Sequence, residues 1–182
     1  MGEAFFFFLN RGRVRVDAED ENSESFYKIR SFKVTNLETD ETRVVNHYHT
    51  HCWPDFGVPN EKWFGSFNKL VDIIIAEKDS LDLACGNTKQ PSPVVVHCRA
   101  GVGRTGTFIS ILELKNLIKI YQKEYRPLSK IEETDRGLSV IGTVRCLREQ
   151  RCHMVESSAQ YIYIYRFIQK VLQQEWDLAA ED

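Results

Sequence analysis

A cysteine and an arginine six positions apart, Cys98 and Arg104, carry the clearest chemistry in this sequence. They lie in a glycine-rich run, His-Cys-Arg-Ala-Gly-Val-Gly-Arg-Thr-Gly at residues 97–106, which we call the cradle. Backbone N–H groups in such a turn, followed by a helix N-terminus, favour a bound phosphate and stabilise a thiolate. The planar arginine fork matches two oxygens of a phosphoryl group. The spacing therefore predicts a phosphate cradle with a nucleophilic sulfur at its floor.

A second interpretation of the same residues is a dinucleotide site, because residues 101–106 also fit the pattern GxGxxG. That site needs an acidic residue at the end of another strand about 20 residues further on. The sequence after Tyr121 is instead Gln-Lys-Glu-Tyr-Arg-Pro, and a nucleotide would leave Cys98 and Arg104 without a role. A P-loop is excluded because no Gly-Lys-Ser/Thr occurs in the chain. Phosphate chemistry at the cysteine is the better interpretation.

The patterns around the cradle predict an α/β or α+β fold, with a mixed, twisted sheet flanked by helices. Apolar alternation and β-branched runs predict strands at residues 5–9, 13–16, 26–37, 43–52 and 94–96, with a turn at residues 10–12. Helical periodicity predicts helices at residues 61–76, 107–121 and 138–147, and a last helix capped by Ser157 or Ser158. Residues 17–25 read as an acidic, solvated loop and residues 79–93 as a connecting loop.

Composition limits the classes of function. The 182 residues fit one domain, and a formal net charge of −2 gives no general attraction for nucleic acid or an anionic membrane. The apolar run at residues 5–9 is too short for a signal peptide or a membrane span. Five cysteines without regular spacing predict reduced thiols in a cytoplasmic, intracellular compartment, and the scattered histidines predict no metal site.

With these residues in view, the chain resembles the protein tyrosine phosphatases. The cradle matches the family signature HCxxGxGR[ST]G at each fixed position, and Trp-Pro-Asp-Phe-Gly-Val-Pro at residues 53–59, the acid loop, resembles the mobile loop of the tyrosine-specific branch. The likeness runs from about Gly12 to the last helix, leaving residues 1–11 unmatched, and includes residues 26–34 and 144–155. It implies a single phosphatase-like catalytic domain over residues 1–182 that uses neither metal nor cofactor.

The resemblance also implies roles for individual residues. Cys98 attacks phosphorus, Arg104 binds the equatorial oxygens, and Asp55 protonates the tyrosyl oxygen as it leaves. Thr105 donates a hydrogen bond to the sulfur, and Gln160, matching the second glutamine of the QTxxQ motif, positions the hydrolytic water. The remaining expected contacts to the substrate come from His97, Arg99, Ala100, Gly101, Val102, Gly103, Trp53 and Glu156. Among these, His97 supports the loop geometry and Trp53 lies at the hinge of the acid loop.

Three departures from the family pattern shape the expectations. The family's N-terminal portion, with the loop that walls the phosphotyrosine pocket, has no counterpart, so we expect an N-terminally truncated domain or one in which residues 5–9 partly replace the missing strand. Glu156 stands where the family has its first catalytic glutamine, and a carboxylate beside bound phosphate predicts slower hydrolysis of the phosphocysteine. Arg99 occupies a position often filled by serine, and a basic residue there resembles the loops of the phosphoinositide phosphatases, although those usually carry a second lysine in the loop where this chain has Val102.

Together these features predict an enzyme that hydrolyses phosphotyrosine in proteins. Two alternatives stay open: a truncated module that binds phosphotyrosine with little or no turnover, and a phosphoinositide phosphatase. The sequence predicts phosphotyrosyl proteins as partners, and it indicates no particular oligomeric state.

Overall fold

The computed structural model describes residues 5–9, 12–84, 93–124 and 138–180. These residues fall into two compact units, Met1–Cys52 and Trp53–Asp182. The first unit contains strands and the second contains helices. The expected combination of a sheet with helices, of the α/β or α+β class, is therefore confirmed.

The first unit is a four-stranded sheet in the order β1-β2-β3-β4, and each of its neighbouring pairs is antiparallel. Its strands are β1 (Phe5–Leu9), β2 (Gly12–Ser23), β3 (Tyr27–Asn36) and β4 (Thr42–Thr50). The strands predicted in this part of the chain are confirmed, whereas two of the three residues of the predicted turn at 10–12 lie outside the described residues.

The acidic loop predicted at residues 17–25 is wrong for most of its length, because β2 continues to Ser23. Its carboxylates face basic residues of β3: Glu21 is opposite Arg30, and Asp17 is opposite Lys33. Glu21 accepts hydrogen bonds from Lys28 Nζ at 2.9 Å and from Arg30 Nε at 2.6 Å. Cross-strand charge pairs of this kind support a solvated strand without any apolar periodicity.

The second unit is built from four helices: α1 (Phe64–Ala84), α2 (Gly103–Glu124), α3 (Val140–Gln150) and α4 (Ser158–Ala180). A short 3₁₀ turn at Glu61–Trp63 precedes α1, and its cap is Asn60, whose side chain accepts the Lys62 N–H. Helix α2 contacts each of the other three helices. Its buried Ile111 and Leu114 contribute to a core that Phe67 of α1 and Phe167 of α4 share.

Two predictions in this unit need correction. Residues 79–84 belong to α1 and not to a connecting loop, because Lys78 pairs with Asp82 one turn later at 2.6 Å and Lys119 of α2 bonds Asp79 at 2.9 Å. Residues 85–92 lie outside the described residues. Residues 94–96 are not in a strand, and Val95 is 85% exposed. A β-branched run favours a strand only where its side chains pack on a sheet surface. The exposed Val95 side chain does not pack in this way.

Candidate active site

The cradle is joined directly to the N-terminus of α2. The helix begins at Gly103, so Arg104 and Thr105 lie in its first turn, four residues earlier than periodicity predicts for the helix. Its first hydrogen bonds include Gly106 N–H to Val102 O at 2.8 Å. Gly101 has a left-handed φ of 71°, which a glycine adopts without strain. The rigid first turn therefore fixes the arginine, the threonine and the backbone N–H groups around the sulfur.

Cys98 is half-buried, and the pKa of its thiol is lower than that of a free cysteine. Burial raises the pKa, but hydrogen bonds from the Thr105 side chain and from the backbone of Thr105, Gly101 and Val102 outweigh it and lower the pKa from 9.0 to about 7. Gly101 N–H donates to the sulfur at 3.2 Å. The buried Thr105 hydroxyl has no nitrogen or oxygen partner in the described part of the chain, so it is free to serve the sulfur. Much of the thiol is therefore a thiolate at neutral pH.

A loop at residues 151–157, between α3 and α4, supports the cradle from behind, and we call it the support loop. Val155 N–H donates to Val102 O at 3.3 Å, and Arg151 Nη2 donates to Ala100 O at 3.2 Å. A Cβ on Gly106 would lie 2.5 Å from Val155 N, so only glycine fits where the two backbones meet. The family signature identifies this glycine, but it does not reveal what the glycine packs against.

The support loop is itself strained and clamped. Val155 has a φ of 63° and His153 a φ of 64°, a region that is unfavourable for a β-branched residue above all. Arg148 of α3 holds this conformation by donating from Nε to Met154 O and from Nη2 to Val155 O, both at 2.9 Å. Sequence reasoning assigned no role to Arg148 or Arg151, because an arginine that bonds backbone carbonyls has no distinctive sequence pattern.

The acid loop forms a tight turn. Gly57 N–H donates to Pro54 O at 3.3 Å, and Phe56 has a left-handed φ of 59°. The buried Trp53 ring packs edge-on against Phe67 with centroids 5.3 Å apart, and its Nε1 donates to Gly57 O at 3.0 Å. The tryptophan expected at the hinge thus anchors the loop to the helical core.

Arg104 connects the acid loop to the cradle. Its Nη1 donates to Trp53 O at 3.1 Å, and its Nη2 forms a short ion pair with Asp55 Oδ1. The Asp55 carboxylate is about half exposed, and the Arg104 side chain is one quarter exposed. In this state the carboxylate occupies the side of the guanidinium that the sequence assigns to phosphate.

A hollow of about 320 Å³ collects most of the predicted site residues. Its lining comprises Asp55, Phe56, Cys98, Arg99, Ala100, Gly103, Arg104, Glu156 and Gln160. A larger hollow of about 630 Å³ lies between α3 and the start of α4, and it shares only Glu156 with the first. The smaller hollow holds the nucleophile, so it is the candidate active site.

The other predicted residues lie behind this lining. Gly101, Val102 and Thr105 act on the sulfur, and Trp53 acts through its carbonyl group. His97 Nδ1 lies 3.4 Å from Cys98 O, within reach of the loop backbone rather than of the hollow. Phe56, which is 70% exposed at the hollow, is a lining residue to which the sequence analysis assigned no role.

Gln160 and Glu156 mark the α4 side of the hollow. Gln160 is fully buried, and its Oε1 accepts the N–H groups of Glu156 at 3.1 Å and Ser157 at 3.3 Å, while Nε2 donates to Gly57 O at 3.3 Å. A Cβ on Gly103 would lie 3.0 Å from Glu156 Oε2 and 3.1 Å from the Gln160 amide. The negative Glu156 carboxylate therefore lies beside the start of α2.

In the described ranges, no group of three or more histidine, cysteine, aspartate or glutamate side chains could hold a metal ion. Within the same ranges, no helix is sufficiently long and apolar to cross a membrane. The four cysteines described there, Cys52, Cys98, Cys146 and Cys152, are free thiols.

The arrangement has the parts that in-line displacement at phosphorus requires. It combines the Cys98 thiol, a cationic fork with helix N–H groups for a tetrahedral anion, and the Asp55 carboxyl group, all lining one hollow.

Comparison with known proteins agrees with this geometry. The sequence model of the family described as "Protein-tyrosine phosphatase" matches residues 7–170, so the match begins somewhat before Gly12. The chain is 32% identical over 163 residues to "Tyrosine-protein phosphatase corkscrew" of Drosophila virilis, covering 89% of this chain and 19% of that protein. It is 30% identical over 164 residues to human "Receptor-type tyrosine-protein phosphatase alpha", covering 90% of this chain and 18% of that protein.

The chain thus spans about a fifth of the length of these relatives. The family match, by contrast, extends over most of the chain and includes both the cradle and the acid loop. On this evidence the chain belongs to the protein-tyrosine phosphatase family.

Proposed function

We propose that this chain hydrolyses phosphotyrosine in proteins through a phosphocysteine intermediate. The observation that carries the proposal is the Cys98 thiol, whose pKa is lowered to about 7 at the N-terminus of α2, beside Arg104. A thiolate at this position is a strong nucleophile, whereas a cysteine that serves only to pack the core is inert. The tyrosine phosphatases similar to the chain supply the substrate class.

In the first step, Cys98 Sγ forms a bond to phosphorus as the bond from phosphorus to the tyrosyl oxygen breaks. Arg104 and the cradle N–H groups bind the three equatorial oxygens and stabilise the charge that spreads over them. The phosphoryl dianion takes the place of the Asp55 carboxylate at Arg104. Released from the ion pair, Asp55 takes up a proton from solvent and gives it to the leaving oxygen, which departs as neutral tyrosine.

In the second step, water attacks phosphorus and the bond from phosphorus to sulfur breaks. The proton of the water goes to Asp55, and the products are inorganic phosphate and the Cys98 thiolate. The Thr105 hydroxyl stabilises the sulfur as it leaves, and Gln160 and Glu156 lie on the side from which the water approaches. No metal or redox cofactor takes part in this sequence of bonds.

The test is phosphate release from a phosphotyrosyl peptide by the wild type, Cys98→Ser and the control Cys146→Ser, which changes an exposed cysteine on α3. We expect turnover in the wild type and the control, and none in Cys98→Ser. Acid quenching of the wild type should trap phosphate on the Cys98-containing peptide. Turnover that survives Cys98→Ser would overturn the proposal.

The two alternatives are outcomes of the same experiment. A binding module would give saturable binding of the phosphotyrosyl peptide with no turnover above Cys98→Ser. A lipid phosphatase would release phosphate from phosphoinositide vesicles faster than from the peptide, and the exposed Arg99 at the hollow is the residue that would serve such a headgroup.

We also propose that this part of the protein works in a reducing, intracellular compartment. The nucleophile must persist as a free thiolate, and an oxidising compartment would not maintain it.

A further inference from the structure

The acid loop meets the N-terminus of α4 through two backbone carbonyl groups. Ser157 Oγ donates to Phe56 O at 3.2 Å, and Gln160 Nε2 donates to Gly57 O at 3.3 Å. Phe56 directly follows Asp55, so the serine contact lies one residue from the carboxyl group. Ser157 directly precedes α4 and Gln160 lies in its first turn, so the two donors come from the same helix N-terminus.

Ser157 has a second task at the same time. Its Oγ accepts the N–H of Gln160 at 3.2 Å, which makes it the N-terminal cap of α4. A hydroxyl group has one donor proton and two acceptor lone pairs, so it can cap the helix and bond the acid loop together. The cap uses the serine only as an acceptor, whereas the contact with the acid loop uses it only as a donor.

The backbone of Phe56 gives the donor contact its importance. A φ of 59° is unfavourable for a bulky residue, and it persists only where surrounding contacts hold it. The Phe56 side chain is largely exposed, so the hydrogen bond from Ser157 to its carbonyl oxygen is the contact that holds this residue directly, whereas the other bonds of the turn reach its neighbours. If that bond is lost, the residues on both sides of Phe56, including Asp55, gain conformational freedom.

We propose that Ser157 is a positioning residue for the general acid: its hydroxyl holds the Phe56 carbonyl and thereby keeps Asp55 over the hollow. The inference rests on the proposed phosphatase function. Gln160 contributes through Gly57, whose carbonyl oxygen is also held by Trp53. The Gly57 carbonyl oxygen thus accepts two side-chain hydrogen bonds, whereas Ser157 is the donor described for the Phe56 carbonyl oxygen.

Substitutions at Ser157 separate the two tasks. Ser157→Asp keeps a helix cap but has no proton to donate, and Ser157→Gly keeps a tolerable cap without adding charge. Ser157→Thr retains both the acceptor and the donor. Ser158→Ala, at the exposed next position, is the matched control.

The kinetic test compares a phosphotyrosyl peptide, whose leaving group needs a proton, with 2,4-dinitrophenyl phosphate, whose leaving group does not. For Ser157→Gly and Ser157→Asp we expect kcat/KM on the peptide to fall about 10-fold, part of the roughly 10²–10⁴-fold that a positioned acid supplies. On dinitrophenyl phosphate kcat/KM should change less than about 2-fold, since formation of the phosphocysteine from this substrate needs no proton. Ser157→Thr and Ser158→Ala should match the wild type.

The decisive kinetic comparison is made in the Asp55→Asn background. There Ser157→Gly should cause no further loss, because the residue that it positions can no longer donate a proton. Equal losses on both substrates, or a loss that persists in Asp55→Asn, would show that Ser157 acts on the fold as a whole and would overturn the proposal.

A second measurement needs no turnover. Amide hydrogen exchange of residues 53–59 in the substrate-free protein should be faster in Ser157→Gly and Ser157→Asp than in the wild type or Ser157→Thr. Unchanged exchange in both variants would overturn the positioning role by itself. If the two variants exchange faster but the wild type shows no Cys98-dependent turnover, the result supports the contact and contradicts only the proposed function.

Discussion

The cradle and the acid loop line the same hollow, but they are held in place by different kinds of contact. The cradle is fixed through backbone groups: Gly106 bonds Val102, and Val155 approaches both of them closely. The acid loop is held mainly by side chains: Arg104 pairs with Asp55, and Ser157 bonds Phe56. The cradle therefore cannot move without disturbing the start of α2, whereas the contacts of the acid loop can break one at a time.

This difference separates binding from proton transfer. A cradle that is part of a helix presents its N–H groups and Arg104 already oriented, so phosphate binding requires little reorganisation. Under the proposed function, an acid loop held by separate side-chain contacts opens to admit a phosphotyrosyl side chain and to release the product. We therefore expect changes in the acid loop to reduce turnover while leaving stability intact, and changes beneath the cradle to reduce both.

The largest effect should come from the acid loop. Asp55→Asn removes the proton donor and should lower kcat on a phosphotyrosyl peptide by about 10²–10⁴-fold. Because the ion pair with Arg104 is substantially exposed, the free energy of unfolding should change by no more than about 1 kcal/mol. Steady-state kinetics measures the change in kcat, and urea unfolding measures the change in stability. A variant that is both inactive and strongly destabilised would contradict the proposed independence of the loop.

The next effect tests the cradle. In Gly106→Ala the new Cβ would lie 2.5 Å from Val155 N and 3.0 Å from Met154 C, both backbone atoms that cannot move alone. Overpacking of this kind should reduce the unfolding free energy by about 1–3 kcal/mol. A shift of about 1 Å in the cradle should also reduce kcat/KM by roughly 10²-fold.

Gly65→Ala is the matched control, because a Cβ at Gly65 meets nothing within 4 Å and the residue lies in α1. Its stability should stay within about 1 kcal/mol of the wild type. Urea unfolding and peptide turnover measured for both variants make the comparison. If Gly106→Ala behaved like Gly65→Ala, the close approach of the support loop would not be what fixes the cradle.

A smaller effect is expected within the cradle itself. The Thr105 hydroxyl helps to lower the pKa of Cys98, so Thr105→Ala should move that pKa from about 7 towards the ordinary 9.0. Below its pKa the thiol keeps its proton and reacts slowly. The pH at which iodoacetamide alkylation of Cys98 is half-maximal should therefore rise in Thr105→Ala and return in Thr105→Ser.

Peptide mass spectrometry measures this alkylation site by site. Cys146, exposed on α3, serves as the reference in the same sample, and its alkylation rate should be equal in all three proteins. An unchanged pH profile for Cys98 in Thr105→Ala would mean that the backbone N–H groups of the cradle alone stabilise the thiolate.

The same contrast explains what the sequence could and could not predict. The cradle is one continuous run of residues 97–106, and each of its residue types suits a chemical task, so the sequence alone predicts a role for it. The acid loop is also continuous, but only its family resemblance linked it to a cysteine more than forty residues away. The ion pair between Asp55 and Arg104 has no signal in the sequence and is seen only in the structure.

The residues that hold the two loops were missed for a physical reason. Arg148, Arg151 and Ser157 act by donating to backbone carbonyl groups, and any residue type presents such a carbonyl. No pairing of side-chain types therefore marks these contacts in the sequence. A serine before a helix predicts the cap correctly, yet its donor proton has no sequence signal.

The errors in the strands have a related origin. Composition predicted a loop in the acidic part of β2, but its stability depends on charges in β3, the next strand. Composition likewise predicted a strand at residues 94–96, where Val95 is mostly exposed. In both segments the outcome depends on a neighbour that local sequence does not specify.

The smallest expected effect lies at Glu156 of the support loop, which lines the same hollow as Cys98 and Asp55. Its carboxylate lies beside the start of α2, so we expect it to add like-charge repulsion to the proposed phosphocysteine on Cys98. The side chain is exposed, so the repulsion should amount to no more than about 1 kcal/mol, and Glu156→Gln should speed hydrolysis of the intermediate by at most about 5-fold.

Rapid-quench kinetics should show a burst of phenol release that is larger in the wild type than in Glu156→Gln. Glu113→Gln is the control, because this exposed residue of α2 lies about 15 Å along the helix from Gly103 and should leave both phases unchanged. A wild type without a burst would show that hydrolysis of the intermediate is not the slow step, and a variant without a gain would show that the carboxylate does not slow it; either result would contradict the prediction.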